Sequence, residues 1–254
     1  MDARTRAVHH PAPERILWIG AHPDDEALIA PLLGRQCVEN CADCSLLVMT
    51  RGERGDCFLP GGCGDLAARR TAEMSQAAVL LRARLTQWSY PDVLTDVDSE
   101  WSRVAGGHQA LVESIALVIA ATAPTTIYTF DPNHGSTCHA AHRALGALVL
   151  EAAGSRHVEL VETAVDFLPD AFAFHAATPD ASAVDATLTW HYLVDDVATH
   201  ASQFTSGQIE SLRRLPDEQR RVWLATKPSG NEDCVVGSGA LIRRPPGGVV
   251  VERN

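Results

Sequence analysis

Short apolar runs alternate with longer stretches of helical periodicity through the first 155 residues, and this alternation leaves few folds open. "RILWIG" (15–20), "SLLVMT" (45–50), "LTQWSY" (85–90) and "TIYTF" (126–130) have strand length and composition. Residues 66–84, 107–122 and 139–154 carry apolar side chains at helical spacing. Strands joined by crossover helices make a parallel sheet covered on both faces. The predicted fold is therefore α/β: a Rossmann-like, mostly parallel sheet with helices on both faces and its active site at the C-terminal ends of the strands. Beyond residue 155, "VELVETAVDFL", "AFAFHA" and "TLTWHYLV" read as further strands, 197–224 as a long helix and "VVGSGALIRR" as a late strand. No repeat or linker marks a boundary, so residues 1–12 are read as a polar tail and 13–254 as a single domain.

In open parallel sheets ligands bind beyond the carboxyl ends of the strands. Four polar clusters fall at such ends: "AHPDDE" (21–26), "TRGERGD" (50–56), "PDV" (91–93) and "DPNHGSTCHAAH" (131–142). Each alone reads as an ordinary loop, but their joint placement on one edge points to a site.

Within these clusters His22 stands beside Asp24 and Asp25, and His139 and His142 open a helix three residues apart. Residues at that spacing share a helix face. Imidazole and carboxylate suit zinc, and three protein ligands with an open position describe a catalytic site. One of the two histidines can bind metal while the other faces a substrate, and one of the two adjacent aspartates can ligate while the other addresses a water. A cation also explains why acidic residues are gathered at the end of a buried strand.

"AHPDDE" after a first strand, followed later by an "HxxH" opening a helix, resembles the PIG-L/LmbE-like family of zinc-dependent deacetylases, which hydrolyse N-acyl amino sugars and related amides. The likeness extends to "TxGExG" at 50–55, "RxxE" from Arg70 to Glu73 and the Pro91-Asp92 pair. It implies that His22, Asp25 and His142 bind zinc, or iron in its place, and that Asp24 is the general base. It further implies that His139 steadies the oxyanion and helps protonate the leaving amine, while Glu53, Arg70 and Asp92 contact or organise the sugar site. The function expected is removal of an acyl group, acetyl foremost, from an amino sugar or glycoconjugate. One departure is plain: the family commonly has His-Pro-Asp-His where this chain has His139-Ala140-Ala141-His142. The carboxylate that tunes the imidazole is missing, and Asp131 is a candidate substitute.

Two other classes are weighed. A non-catalytic sugar or nucleotide binder on the same scaffold has no use for a base such as Asp24 beside a metal. A dinucleotide-dependent oxidoreductase needs GxGxxG in its first turn, where this chain reads "GAHPDD". A net charge of −11 argues against nucleic acid as a partner. The longest apolar window, "SIALVIAATA", is ten residues, short of a membrane span. A cytoplasmic protein acting on a small molecule is expected, with homo-oligomerisation left open. Seven cysteines fit no closed disulfide set. Cys37, Cys41, Cys44 and Cys57 are weighed as a zinc site against free thiols or a local disulfide, and Cys138 is read as a small buried residue.

Overall fold

The computed structural model of the chain describes residues 13–161, 165–167, 172–174, 186–220, 235–237 and 240–242. The four apolar runs form β1 (Arg15–Gly20), β2 (Asp43–Thr50), β3 (Arg84–Tyr90) and β4 (Thr126–Phe130), and β5 (Val158–Val161) completes a five-stranded sheet. Its order is β3-β2-β1-β4-β5 and every pairing is parallel. β1 and β2 are buried almost throughout. That burial on both faces is why they read as continuous apolar runs rather than alternating ones.

Between β1 and β2 lie a 3-10 turn (Asp25–Ile29), the short α1 (Ala30–Leu33) and a π-helical turn (Gly34–Glu39). α2 (Leu66–Leu80) follows β2, capped by the Asp65 side chain, which accepts from the Ala68 amide at 3.0 Å. α3 (Val97–Ala105) and α4 (His108–Thr122) connect β3 to β4, and α5 (Gly135–Cys138) and α6 (Ala140–Ala153) connect β4 to β5. α3, α4 and α6 pack on one another, while α1 and α2 pack against α7 (Ala186–Thr199), so two helical layers enclose the sheet. Trp18, Trp101 and Phe130 are the largest fully buried side chains of the resulting core.

The chain enters the sheet at its centre, moves outward through β2 and β3, and returns to lay β4 on the other side of β1. The exits of β1 and β4 therefore diverge, opening the crevice where open α/β sheets hold their ligands. The two histidine clusters lie at those two exits.

The structure corrects the sequence reading in the second half. "TLTWHYLV" is the body of helix α7, not a strand. Trp190, Leu193, Val194 and Val197 recur at helical spacing and are all buried. The expected long helix over 197–224 does not form: α7 ends at Thr199, and after a turn α8 (Ser206–Arg213) starts from a capping box between Thr205 and Gln208. Residues 221–224 lie outside the described residues. β6 (Val165–Phe167) and β7 (Phe172–Phe174) make one antiparallel pair, β8 (Val235–Gly237) and β9 (Ala240–Ile242) another.

The cysteine zinc site is also overturned. Cys37 is bonded to Cys44 and Cys57 to Cys63, leaving Cys41 exposed and free. Cys138, read as a small buried residue, is buried as expected and is also disulfide-bonded.

Candidate active site

The site is built on β1, whose exit turns sharply at His22-Pro23-Asp24-Asp25. Asp24 holds a positive φ of 113°, rare for a residue with a side chain. Such strain at a polar loop residue marks a functional constraint. The turn lets Asp25 fold back, so that its Oδ2 accepts from the amides of Ala21 and His22, both at 2.7 Å. One carboxylate oxygen is thus fixed by the backbone and Oδ1 is left for the cavity.

From β4 the chain reaches α6, which approaches the sheet closely because residue 146 is glycine: a Cβ there would lie 2.3 Å from the Phe130 carbonyl oxygen. His142, one turn earlier, stacks on the Phe130 ring with centroids 3.9 Å apart. Its Nδ1 lies 2.7 Å from the Gly135 carbonyl, which accepts its proton and leaves the Nε2 lone pair facing inward. Nε2 is 3.0 Å from Asp25 Oδ1 and 3.3 Å from His22 Nδ1. The far nitrogen of His22, Nε2, is 3.4 Å from Asp92 Oδ1.

Three inward donors, each with its other end fixed by a hydrogen-bond partner, are the arrangement that orients metal ligands. Their separations fit as well, since ligand bonds of about 2.0 Å in a tetrahedron place neighbouring donors ~3.3 Å apart. The residues present fit a divalent cation. His139 also has a ring nitrogen within 4.8 Å of His22 and His142 donors.

The electrostatics follow from this crowding. Burial disfavours a charged His22, yet Asp25 and Asp92 raise it to about 10. Burial likewise opposes ionised Asp25, but His142 and His22 hold it well below the usual carboxylate range. Asp24 is pushed up to about 7 by burial and by the charge of Asp25, against the pull of Arg70, His200 and His22. His139 is lowered to about 2 by burial and by His142 and His22. Geometry agrees, because His139 Nδ1 accepts from the Ala141 amide at 3.2 Å as the cap of α6. Its ring is neutral, with the proton on Nε2.

The floor opens into a cavity of about 570 Å³. His22, Asp24, Asp25, Arg70, Asp92, His139 and His142 line it, together with Arg54, Phe58 and Leu94 nearer the mouth. Arg70 is buried, and one guanidinium nitrogen donates to the Asp56 carbonyl at 3.1 Å. It passes so close to the β2 loop that a Cβ on Gly55 would fall 2.1 Å from it, so a side chain there would have to displace the guanidinium. Glu53 is exposed and outside the lining; its carboxylate accepts from the Asp92 amide at 2.9 Å and so positions Asp92. Asp131 does not reach His139: its Oδ1 accepts from the amides of Asn133 and His134.

Sequence reasoning passed over a buried polar set behind these residues. Glu26, Asp196 and His200 are fully buried, with His200 Nε2 2.6 Å from Glu26 Oε1. Glu26 Oε2 accepts from the Asp24 amide at 3.3 Å. Ser202 donates to Glu73 through both its amide (3.1 Å) and its hydroxyl (2.5 Å). The available signal was the pair Asp196 and His200, four apart in the last turn of α7 and just beyond its end.

The sequence profile of the family described as GlcNAc-PI de-N-acetylase matches residues 17–153, more than half of the 254-residue chain. A stretch of 52 residues is 42% identical to the 1D-myo-inositol 2-acetamido-2-deoxy-alpha-D-glucopyranoside deacetylase of Corynebacterium urealyticum. That stretch is 20% of this chain and 16% of the relative. Among solved structures, the N,N'-diacetylchitobiose deacetylase of Pyrococcus horikoshii superposes with a TM-score of 0.59 at 19% identity, covering 80% of this chain and 75% of that one. The A40926 pseudoaglycone deacetylase Dbv21 gives 0.55 at 21% identity over 74% and 82%. GalB, the 4-carboxy-2-hydroxymuconate hydratase of Pseudomonas putida KT2440, gives 0.57 at 17% identity over 79% and 83%. At these identities the three structures establish the fold, and the hydratase shows that the fold alone does not select a reaction.

Proposed function

The chain belongs to the GlcNAc-PI de-N-acetylase family, and we propose that it is a metal-dependent amidohydrolase that removes an acyl group, acetyl foremost, from the amine of an N-acyl amino sugar or glycoconjugate. The observation that carries the reading is the convergence of Asp25 Oδ1, His142 Nε2 and His22 Nδ1 beside the strained, cavity-lining Asp24. Residues 13–254 are read as one domain.

His22, Asp25 and His142 would hold the cation, zinc in the first instance and iron as its alternative. When bound, it supplies Lewis acidity toward the acyl oxygen and acidifies water beside it. The other work falls to the chain's own groups. Asp24, with a carboxyl pushed up to about 7, is suited to take a proton from the attacking water. As the C–N bond breaks, the same carboxyl returns that proton to the amine nitrogen, giving a carboxylic acid and a free amine, which between them ionise to carboxylate and ammonium. His139 points its Nε2–H as a neutral donor and steadies the oxyanion. With Nδ1 already accepting from the Ala141 amide, His139 has no proton to spare for the amine, so this part of the expected role passes to Asp24. Asp92 orients His22, and Arg70 binds the substrate beside the base.

No single helix among the described residues is long and apolar enough to cross a membrane. The bonded cysteines weigh for an oxidising compartment rather than the reducing cytoplasm expected from the sequence. The test is amine and carboxylate release from N-acetylated amino sugars and their conjugates by the zinc-loaded protein, with Asp24→Asn as the control.

A further inference from the structure

Glu26, Asp196 and His200 bring two carboxylates and an imidazole together in full burial, with donor atoms within 4.8 Å of one another. None of the three lines the catalytic cavity. Neither oxygen of Asp196 has a hydrogen-bond partner, although the side chain is 0% exposed. A buried carboxylate in that condition needs compensation. Its position makes the need greater, because Asp196 lies in the last turn of α7 (Ala186–Thr199), where the helix dipole disfavours an anion and favours a cation.

A proton on Asp196 would remove the charge but leave a buried O–H and C=O without partners. A cation neutralises the carboxylates and is a partner for their oxygens. The imidazole is prepared for it as well. Gln203 Nε2 is 3.2 Å from His200 Nδ1 while Gln203 Oε1 is buried and unpartnered. Turning the amide over lets Oε1 accept from Nδ1–H and leaves the imidazole Nε2 lone pair toward Glu26, with the amide nitrogen then in the unpartnered position. The ion is thus a partner for both unmet oxygens of Asp196.

We propose that Glu26, Asp196 and His200 form a second, buried divalent-cation site, separate from the one on the cavity floor. Two carboxylates and an imidazole suit zinc or manganese. Through Glu26, whose other oxygen accepts from the Asp24 amide, the ion ties the turn at residues 24–26 to the 196–203 segment. The site does not depend on the amidohydrolase reading.

The test is the zinc content of the full chain after chelation, reloading with Zn²⁺ and gel filtration. Wild type should hold two zinc ions per chain, and His22→Ala and Asp196→Asn one each. The double variant should hold close to none. A wild type with one ion and a His22→Ala variant with none would show that the cluster holds protons, and would overturn the proposal. So would a second ion that survives in the double variant. If Asp196→Asn fails to give a folded protein, the decision rests on crystals of the zinc-loaded wild type measured at the zinc absorption edge. An anomalous peak between Glu26, Asp196 and His200 is expected, and its absence rejects the site.

Discussion

His22 Nδ1 and His142 Nε2 face each other at 3.3 Å across the cavity floor, from segments 120 residues apart. Each ring has its far nitrogen engaged, His22 by Asp92 and His142 by the Gly135 carbonyl. A proton or a cation must lie between the facing nitrogens, and the two compete.

That competition sets the first prediction. His22 is raised to about 10, so in chelated protein it is protonated at neutral pH, and ion binding must expel the proton. Affinity for Zn²⁺ at this site should therefore rise with pH across the neutral range, by about tenfold per unit for one proton. Competition with a chromophoric chelator between pH 6 and 8 measures it, in Asp196→Asn protein to leave one site. An affinity flat with pH would mean that His22 is not a ligand.

Asp92 tests the orientation of His22. If its carboxylate fixes the ring, Asp92→Asn should lower zinc affinity by roughly 10- to 100-fold. A residue that only contacts sugar would raise KM and leave zinc affinity unchanged.

His139 is argued to act as a neutral donor. His139→Ala should lower kcat by about 10²- to 10³-fold, and His139→Gln should recover part of that through its amide N–H. Because His139 is lowered to about 2, removing it should leave the alkaline limb of the kcat/KM profile in place. A limb that disappears with His139 would restore its role as the acid.

The disulfide between Cys57 and Cys63 closes the loop that carries Phe58 to the cavity mouth. The Phe58 amide donates to the Ser202 carbonyl at 2.9 Å, joining this loop to the segment after α7. Cys57→Ser with Cys63→Ser should cost about 2 kcal/mol of stability for so short a loop, read from urea unfolding. KM should rise more than kcat falls. Unaltered stability would mean that the bridge is dispensable.

The sheet was legible because its strands are buried on both faces and bounded by polar turns, a pattern that survives without tertiary information. "AHPDDE" and "HAAH" were legible for the same reason, each compact in sequence and placed at a strand end. α7 was misread because Thr187, Thr189, Trp190 and Tyr192 weigh toward strand, while the helical spacing of Trp190, Leu193, Val194 and Val197 carried the burial. His200 and Glu26 stand 174 residues apart, and nothing local in either predicts that they meet. The neutral state of His139 depends on a cap made by its own Nδ1, a choice of rotamer that no residue pattern encodes. Cysteine pairing is likewise a matter of distance in the folded chain.

The central claim is that Asp24, beside a cation held by His22, Asp25 and His142, cleaves an acylated amine. It is tested most directly by following amine and acetate together from a panel of N-acetylglucosamine conjugates, with zinc-loaded wild type and zinc-loaded Asp24→Asn protein side by side. The account predicts equal release of amine and acetate by wild type. It predicts that Asp24→Asn, with zinc content unchanged, is slower by about 10²- to 10⁴-fold. Equal turnover by the two proteins, or loss of zinc with Asp24 while an Asp25→Asn protein retains it, would contradict the account.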